Sequence, residues 1–346
     1  MMPSVRVGRF SGTAVVLSVL SSVATPAQHQ MEVLLARGGL PAHIAASFAE
    51  PTGFQRTATG ESYVFDRRSH AVYRIDADEN AAQMIVQIGE EAGRIIQPTA
   101  FDMAPNGTFV VADAPNQRER IQIFSPTGAR LGGFLLPGTA ATRVLIGPVV
   151  LNGVGSLQYT GQAILINQPE RGTLMTEYGL AGTAVRTFGA LRETGHESDR
   201  DLHLALNTGA PLANPKGGFY FVFQTGRPMF RKYDAAGEIL FERHIEGPEL
   251  DPIVNTLPTQ WPVRSKSSGA VPVPVVPATI RTAAVDPDGN LWIGLTTPYV
   301  YQYDGTGEKI RTVQFKGAGI ITASSLFFPS RQRVLVTPGC YEFDVR

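Results

Sequence analysis

Period-two alternation of apolar residues, glycine turns at near-constant spacing, and recurrence of the whole unit at least four times predict an all-β fold. The expected form is a six-bladed β-propeller of four-stranded antiparallel blades, closed by the N-terminal strand completing the last blade. The clearest unit places alternating runs at 101–104 and 108–113 around Pro105-Asn106-Gly107, then a third run at 120–124 before Ser125-Pro126-Thr127-Gly128. It returns at 283–294 and 299–307 around Gly289 and Gly307. From first turn to second, the steps Gly60 to Asn80, Gly107 to Gly128, Gly217 to Gly237 and Gly289 to Gly307 are 18 to 21 residues. Between units the first turns are 47 residues apart at Gly60 and Gly107 but 72 at Gly217 and Gly289. Strand pairing fixes the first spacing and leaves the connections free.

Taken in order, a first blade begins near Thr52 and a second near Thr99. A degenerate third begins near Val144, with 163–167 and 173–178 as its second and third strands, and a fourth begins near Leu202, with 218–223 and 229–233 in those places. A fifth starts near Ile280. The segments 323–328, 333–337 and 341–346 supply only three more strands, while a strand at 31–36 has no partner of its own. A ring exposes no sheet edge only when closed, so 31–36 is expected beside the last three strands, giving six blades in one domain over 31–346.

Val111-Ala112-Asp113 followed by Asn116-Gln117-Arg118-Glu119-Arg120-Ile121-Gln122-Ile123-Phe124 resembles the NHL repeat, and Tyr63-Val64-Phe65-Asp66 with His70-Ala71-Val72-Tyr73-Arg74-Ile75-Asp76 is similar to a looser copy. The resemblance covers the first, second, fourth and fifth units; the third departs from the pattern and the last is truncated. It implies a propeller that serves either as a binding module or scaffold, or as a metal-dependent enzyme. In such repeats the arginine after the turn, here Arg118 or Arg120, commonly looks structural, pairing with an acid such as Asp113.

With 346 residues, 43% hydrophobic and 17% charged, the chain has enough apolar surface for a core, and 36 glycines suit many short strands. Thirty basic residues balance thirty acidic ones. That neutrality argues against nucleic acid as a partner, since phosphate binding draws on an excess of Lys and Arg. Arg6 and Arg9 precede an uncharged run over 11–24 with small residues at Ser22, Ala24, Thr25 and Ala27, so 1–27 reads as a cleaved secretory signal. The run falls short of the roughly 20 apolar residues of a membrane span. The mature protein is therefore expected to be secreted or periplasmic and monomeric, with no stable membrane span. A sole cysteine, Cys340, can form no disulfide within the chain.

No Gly-x-Ser-x-Gly elbow, Walker loop, His-Glu-x-x-His pair or paired-cysteine motif occurs, so no catalytic residue is assigned. Two stretches stand apart from the repeats. The proline-rich segment 246–278 is an inter-blade insertion in which Trp261 is a candidate partner contact, whereas Trp292 sits in an alternating strand and reads as core. The segment 192–201, with His203 just beyond it, concentrates Glu193, His196, Glu197, Asp199 and Asp201; on a strand, Asp199, Asp201 and His203 would share one face toward the channel and offer Ca or Zn a donor set. Channel-entry positions are expected at Thr52, Thr99, Arg143, His203, Arg281 and Thr322, and turns between second and third strands add Arg67, Arg68, Arg118, Arg171 and Arg227 on the same face. Guanidinium forks pair bidentately with carboxylate or phosphate, so this rim suits an anion. The expected function is a non-catalytic binding or scaffold module without a cofactor, presenting one loop face and the channel mouth to a protein, a peptide or a small anionic ligand. The alternative is a metal-dependent lyase or lactone hydrolase with Ca or Zn in the channel.

Overall fold

Strands buried on both faces organise this chain. Ser62–Asp66, Phe109–Asp113 and Leu291–Leu295 have every residue buried, as strands do when their sheet is sandwiched between neighbouring sheets. The outermost strands Arg130–Leu135 and Ile239–His244 are largely exposed. The computed structural model describes residues 31–137, 143–146, 149–152, 154–264 and 273–345. The secretory signal expected over 1–27 lies outside them.

Four blades stand as separate four-stranded antiparallel sheets. The first comprises Pro51–Arg56, Ser62–Asp66, Ala71–Ile75 and Ala82–Val86; the second Ala100–Met103, Phe109–Asp113, Arg120–Phe124 and Arg130–Leu135. The third comprises Leu157–Tyr159, Ala163–Ile166, Thr173–Gly179 and Ala184–Ala190; the fourth Gly209–Ala213, Phe219–Phe223, Met229–Tyr233 and Ile239–His244. Turn glycines keep successive sheets close. At Gly128, φ is +83° and a Cβ would stand 2.3 Å from the Ile85 carbonyl oxygen, so only glycine fits.

The expectation of six separate blades is corrected: the described structure has four. Strands Ile280–Val285, Leu291–Leu295, Val300–Tyr303 and Lys309–Lys316 are continuous with Tyr341–Asp344, Arg333–Thr337 and Ser325–Ser330 in one nine-stranded sheet, in which Met31–Gly39 is the joint and Ile320–Ile321 pairs with Lys309–Lys316 to the side. The first half of that strand runs parallel to Lys309–Lys316, pairing Val33 with Gln314 and Leu34 with Phe315. Only its second half, from Ala36 to Gly39, pairs antiparallel with Tyr341–Asp344, past a bulge at Ala36/Gly38. A nine-residue strand is long enough to divide its hydrogen bonds between two partners, which fuses what alternation alone would separate.

Apolar clusters join each sheet to the next. One shares Val110 and Ile121 with Ile164 and Tyr178, another Leu165 and Met175 with Phe221 and Phe223, and another Tyr220 and Phe230 with Leu291 and Tyr301. Leu335 and the buried Cys340 pack against Phe54 and Val64 of the first blade, so the ring of contacts is complete. Burial pushes the Cys340 thiol up to about 12, with Asp66 adding to the effect, so the thiol stays protonated and inert.

Two departures from the repeat lie on one face. Arg143–Ile146 is not the inner strand of the third blade; it pairs with Val149–Asn152 and, in parallel, with Val276–Pro277 of the proline-rich insertion. Arg200–Leu206 is an α-helix, with Asp199 as N-cap accepting from the Leu202 N–H at 3.2 Å.

Candidate functional site

Inner strands Pro51–Arg56, Ala100–Met103, Leu157–Tyr159, Gly209–Ala213, Ile280–Val285 and Ser325–Ser330 contribute lining to an axial channel, a cavity of about 820 Å³. Its walls are mostly apolar through Phe101, Leu212, Ala283 and Phe327, and its charged lining groups are Glu50, Arg56, Arg67, Asp102 and Arg281. Arg56 is committed to structure, paired with Glu342 at 2.7 Å and Glu79 at 3.3 Å.

Arg281 is different. Its Nε and Nη2 donate to the Ser324 hydroxyl at 3.2 and 2.9 Å, and among the described residues no carboxylate comes within ion-pair distance of it. Burial, then the neighbouring Arg67 charge, lowers its pKa, and Glu50 opposes them. Glu50 itself is engaged by Arg67. One guanidinium at the channel mouth therefore keeps unused hydrogen-bonding capacity in a partly desolvated position, where an anion would be held more strongly than in open water.

Deeper in the channel, Asp102 ties three inner strands together: it accepts from Gln55 Nε2 at 2.8 Å and from the Tyr159 backbone N–H at 2.7 Å. Burial raises its pKa to about 6 against those hydrogen bonds, so it is predominantly ionised at neutral pH. Two lining atoms have no hydrogen-bond partner among the described residues: Gln55 Oε1, on the side chain that donates to Asp102, and Thr52 Oγ1, three residues earlier on the same strand and so at the level of Thr99 and Arg281. Gln55 is only 9% exposed. A buried acceptor without a donor is costly unless something else supplies one.

The remaining sequence candidates sort by place. Arg67 lines the channel, while Arg68, Arg118, Arg171 and Arg227 are exposed on turns. Arg171 Nη1 donates to the Tyr178 hydroxyl at 3.3 Å. Arg120, rather than Arg118, makes the bidentate pair with buried Asp113, at 2.9 and 2.6 Å. Arg143 begins a strand outside the third blade, so the entry position expected for it falls instead near Ser156; Ser324 similarly replaces Thr322. Trp261 is partly buried against Leu202, Ala205, Leu206 and Val276, a contact inside the chain.

The proposed metal set does not share a face. On a helix successive residues turn by about 100°, so Asp199, Asp201 and His203 diverge where strand alternation would have aligned them. Asp199 caps the helix, Asp201 is exposed near Arg200 at 3.8 Å, and His203 Nδ1 is 2.8 Å from the Thr194 hydroxyl. Among the described residues no group of three His, Cys, Asp or Glu side chains could hold a metal ion.

Near this rim, between the second and third blades, burial and then Glu170 raise Glu119 to about 7, and its Oε1 has no hydrogen-bond partner among the described residues. A carboxyl whose pKa is raised by folding stabilises the fold most at or below its unfolded value near 4.5 and loses that contribution as pH rises through 7. Asp102 adds a loss of the same sign, centred lower. Glu119→Gln is expected to raise the melting temperature at pH 8 by roughly 5 °C, from about 2 kcal/mol after allowing for partial solvent contact. Thermal melts from pH 4.5 to 8 should be flatter for the variant; identical slopes would assign the pH dependence elsewhere.

No protein-family model matches the chain, and no curated protein does. Among solved structures it is similar to virginiamycin B lyase from Staphylococcus aureus, at 9% identity and a TM-score of 0.52 over 85% of this chain and 93% of that one. A catalytically inactive variant of that enzyme with quinupristin aligns over the same shares at 9% identity and 0.51. The chain is a β-propeller. The calcium-binding protein regucalcin from Agrobacterium tumefaciens aligns at 14% identity over 91% of this propeller and 95% of that chain, with a TM-score of 0.47. At such identities the likeness is one of fold. No helix among the described residues of the propeller is long and apolar enough to cross a membrane.

Proposed function

We propose that this chain is an exported NHL-like propeller that binds an anionic ligand at the mouth of its axial channel, with Arg281 as the principal anion contact. The observation that carries the reading is a partly buried guanidinium that lines the cavity and, among the described residues, has only a serine hydroxyl as hydrogen-bond partner. Arg67 adds positive field, tempered by its pairing with Glu50. Export rests on Arg6, Arg9 and the uncharged run after them. The repeat-like Asp113 and Arg120 pair supports the NHL-like character as a structural feature.

Isothermal titration with inorganic phosphate and with short carboxylates tests the reading. Arg281→Ala is expected to weaken binding at least tenfold, the equivalent of about 1.5 kcal/mol for one charge-assisted contact. Glu50→Gln, which releases Arg67, is expected to tighten it several-fold. Affinity unchanged in Arg281→Ala would overturn the assignment.

A further inference from the structure

Resting on that reading, we infer that the channel's ligand is a zwitterion about a tripeptide long, its carboxylate on Arg281 and its ammonium group at Asp102 and Gln55. The inner strands supply the ruler. Aligning the turn glycines Gly107 and Gly289 makes Arg281 the counterpart of Thr99, three residues before Asp102 on its own inner strand. At about 3.3 Å per residue, the two backbone positions differ in level by about 10 Å along the inner strands. A tripeptide spans about 10 Å when extended.

The inner subsite is already built for a donor. Gln55 is 9% exposed, gives its amide N–H to Asp102, and leaves Oε1 without a partner among the described residues. Asp102 adds negative charge and is fixed from two sides by Gln55 and the Tyr159 N–H. An ammonium group brings three donors and a positive charge, which satisfies an orphaned acceptor and a carboxylate together. A second anionic group at that depth would face Asp102 with like charge. Between the two ends, Phe101, Leu212 and Ala283 offer apolar wall to small side chains or methylenes.

Trialanine, its N-acetyl derivative and its C-terminal amide separate the contributions in isothermal titration. Trialanine is expected to bind wild-type protein at least tenfold more tightly than either blocked form. Asp102→Asn should bring trialanine down to the value of the acetylated peptide, and Arg281→Met should bring it down to the value of the amide, with circular dichroism melts showing that both variants fold. Should Asp102→Asn not fold, Gln55→Met removes the orphaned acceptor and is expected to narrow the preference for the free amine. If the acetylated peptide binds as well as trialanine in wild-type protein, the zwitterion assignment fails while anion binding at Arg281 stands. Phosphate binding through Arg281 with no binding of any peptide has the same meaning. If no anion responds to Arg281→Met, both readings fall.

Discussion

Trp292→Ala is expected to lower unfolding free energy by about 4 kcal/mol and the melting temperature by roughly 10 °C. The indole is fully buried in Leu291–Leu295, within the cluster that contains Leu34 of the opening strand and Val334, Val336 and Phe343 near the carboxyl end. Its ring lies 5.3 Å from that of Phe328, with the Arg311 guanidinium 5.3 Å from its centroid on another side. Truncation therefore opens a void where the two ends of the chain meet, and rigid sheets on both sides limit collapse into it. The hydrogen bond matters less. Trp292 Nε1 donates to Asp286 Oδ2 at 3.0 Å, but that carboxylate also accepts from Asn290 Nδ2 and from the backbone of Asp288 and Asn290. Trp292→Phe, which retains most of the volume, should accordingly cost about 1 kcal/mol. Urea unfolding followed by far-ultraviolet circular dichroism separates the two variants; equal losses would mean that packing is not the dominant contribution.

Local signals were legible in the sequence and divided ones were not. Alternation and turn glycines place the second and third strands of the four blades, because each depends on residues within a few positions of one another, whereas the inner strands expected to begin near Val144 and Leu202 lie at Leu157–Tyr159 and Gly209–Ala213. Blade count depends instead on how Met31–Gly39 shares its hydrogen bonds between two partners, and alternation is the same whichever edge a strand joins. At Asp199 the evidence for a helix was present: an aspartate cap ahead of Leu202, Ala205 and Leu206 at spacings of three and four. Period-two reading of Asp199, Asp201 and His203 overlooked that pattern. In the channel, the arginine at 281 could be anticipated from its place before a repeat. Asp102 could not, since the groups that hold it come from 47 residues before it and 57 after. Its position in the second blade looks like any polar residue of an alternating strand.

The same limit applies to Arg192, whose replacement by leucine is the second large effect expected. The side chain is 9% exposed and has no carboxylate partner among the described residues; it donates to the carbonyls of Leu206 and Thr225 at 2.5 Å each and of Arg227 at 2.8 Å. Its guanidinium carbon stands 4.3 Å from the Phe223 ring centroid. Burial, then the charge of Arg231, lowers its pKa to about 10, which still leaves it cationic at neutral pH. Arg192→Leu removes a desolvated charge, which by itself favours folding, but strands three carbonyls at about 1 to 3 kcal/mol each where nothing replaces the donor. A net loss of about 3 kcal/mol is expected. Arg192→Lys keeps the charge but not the planar fork, and cannot reach three carbonyls at once, so it should recover less than half of that loss. The effect extends to the channel: Thr225 follows Gln224, whose carbonyl accepts from Thr279 N–H at 2.8 Å, two residues before Arg281. Loosening this corner should weaken anion binding several-fold without touching a ligand contact. Stability within 1 kcal/mol of wild type in Arg192→Leu would show that water replaces the guanidinium, and anion affinity would then be expected to stay unchanged as well.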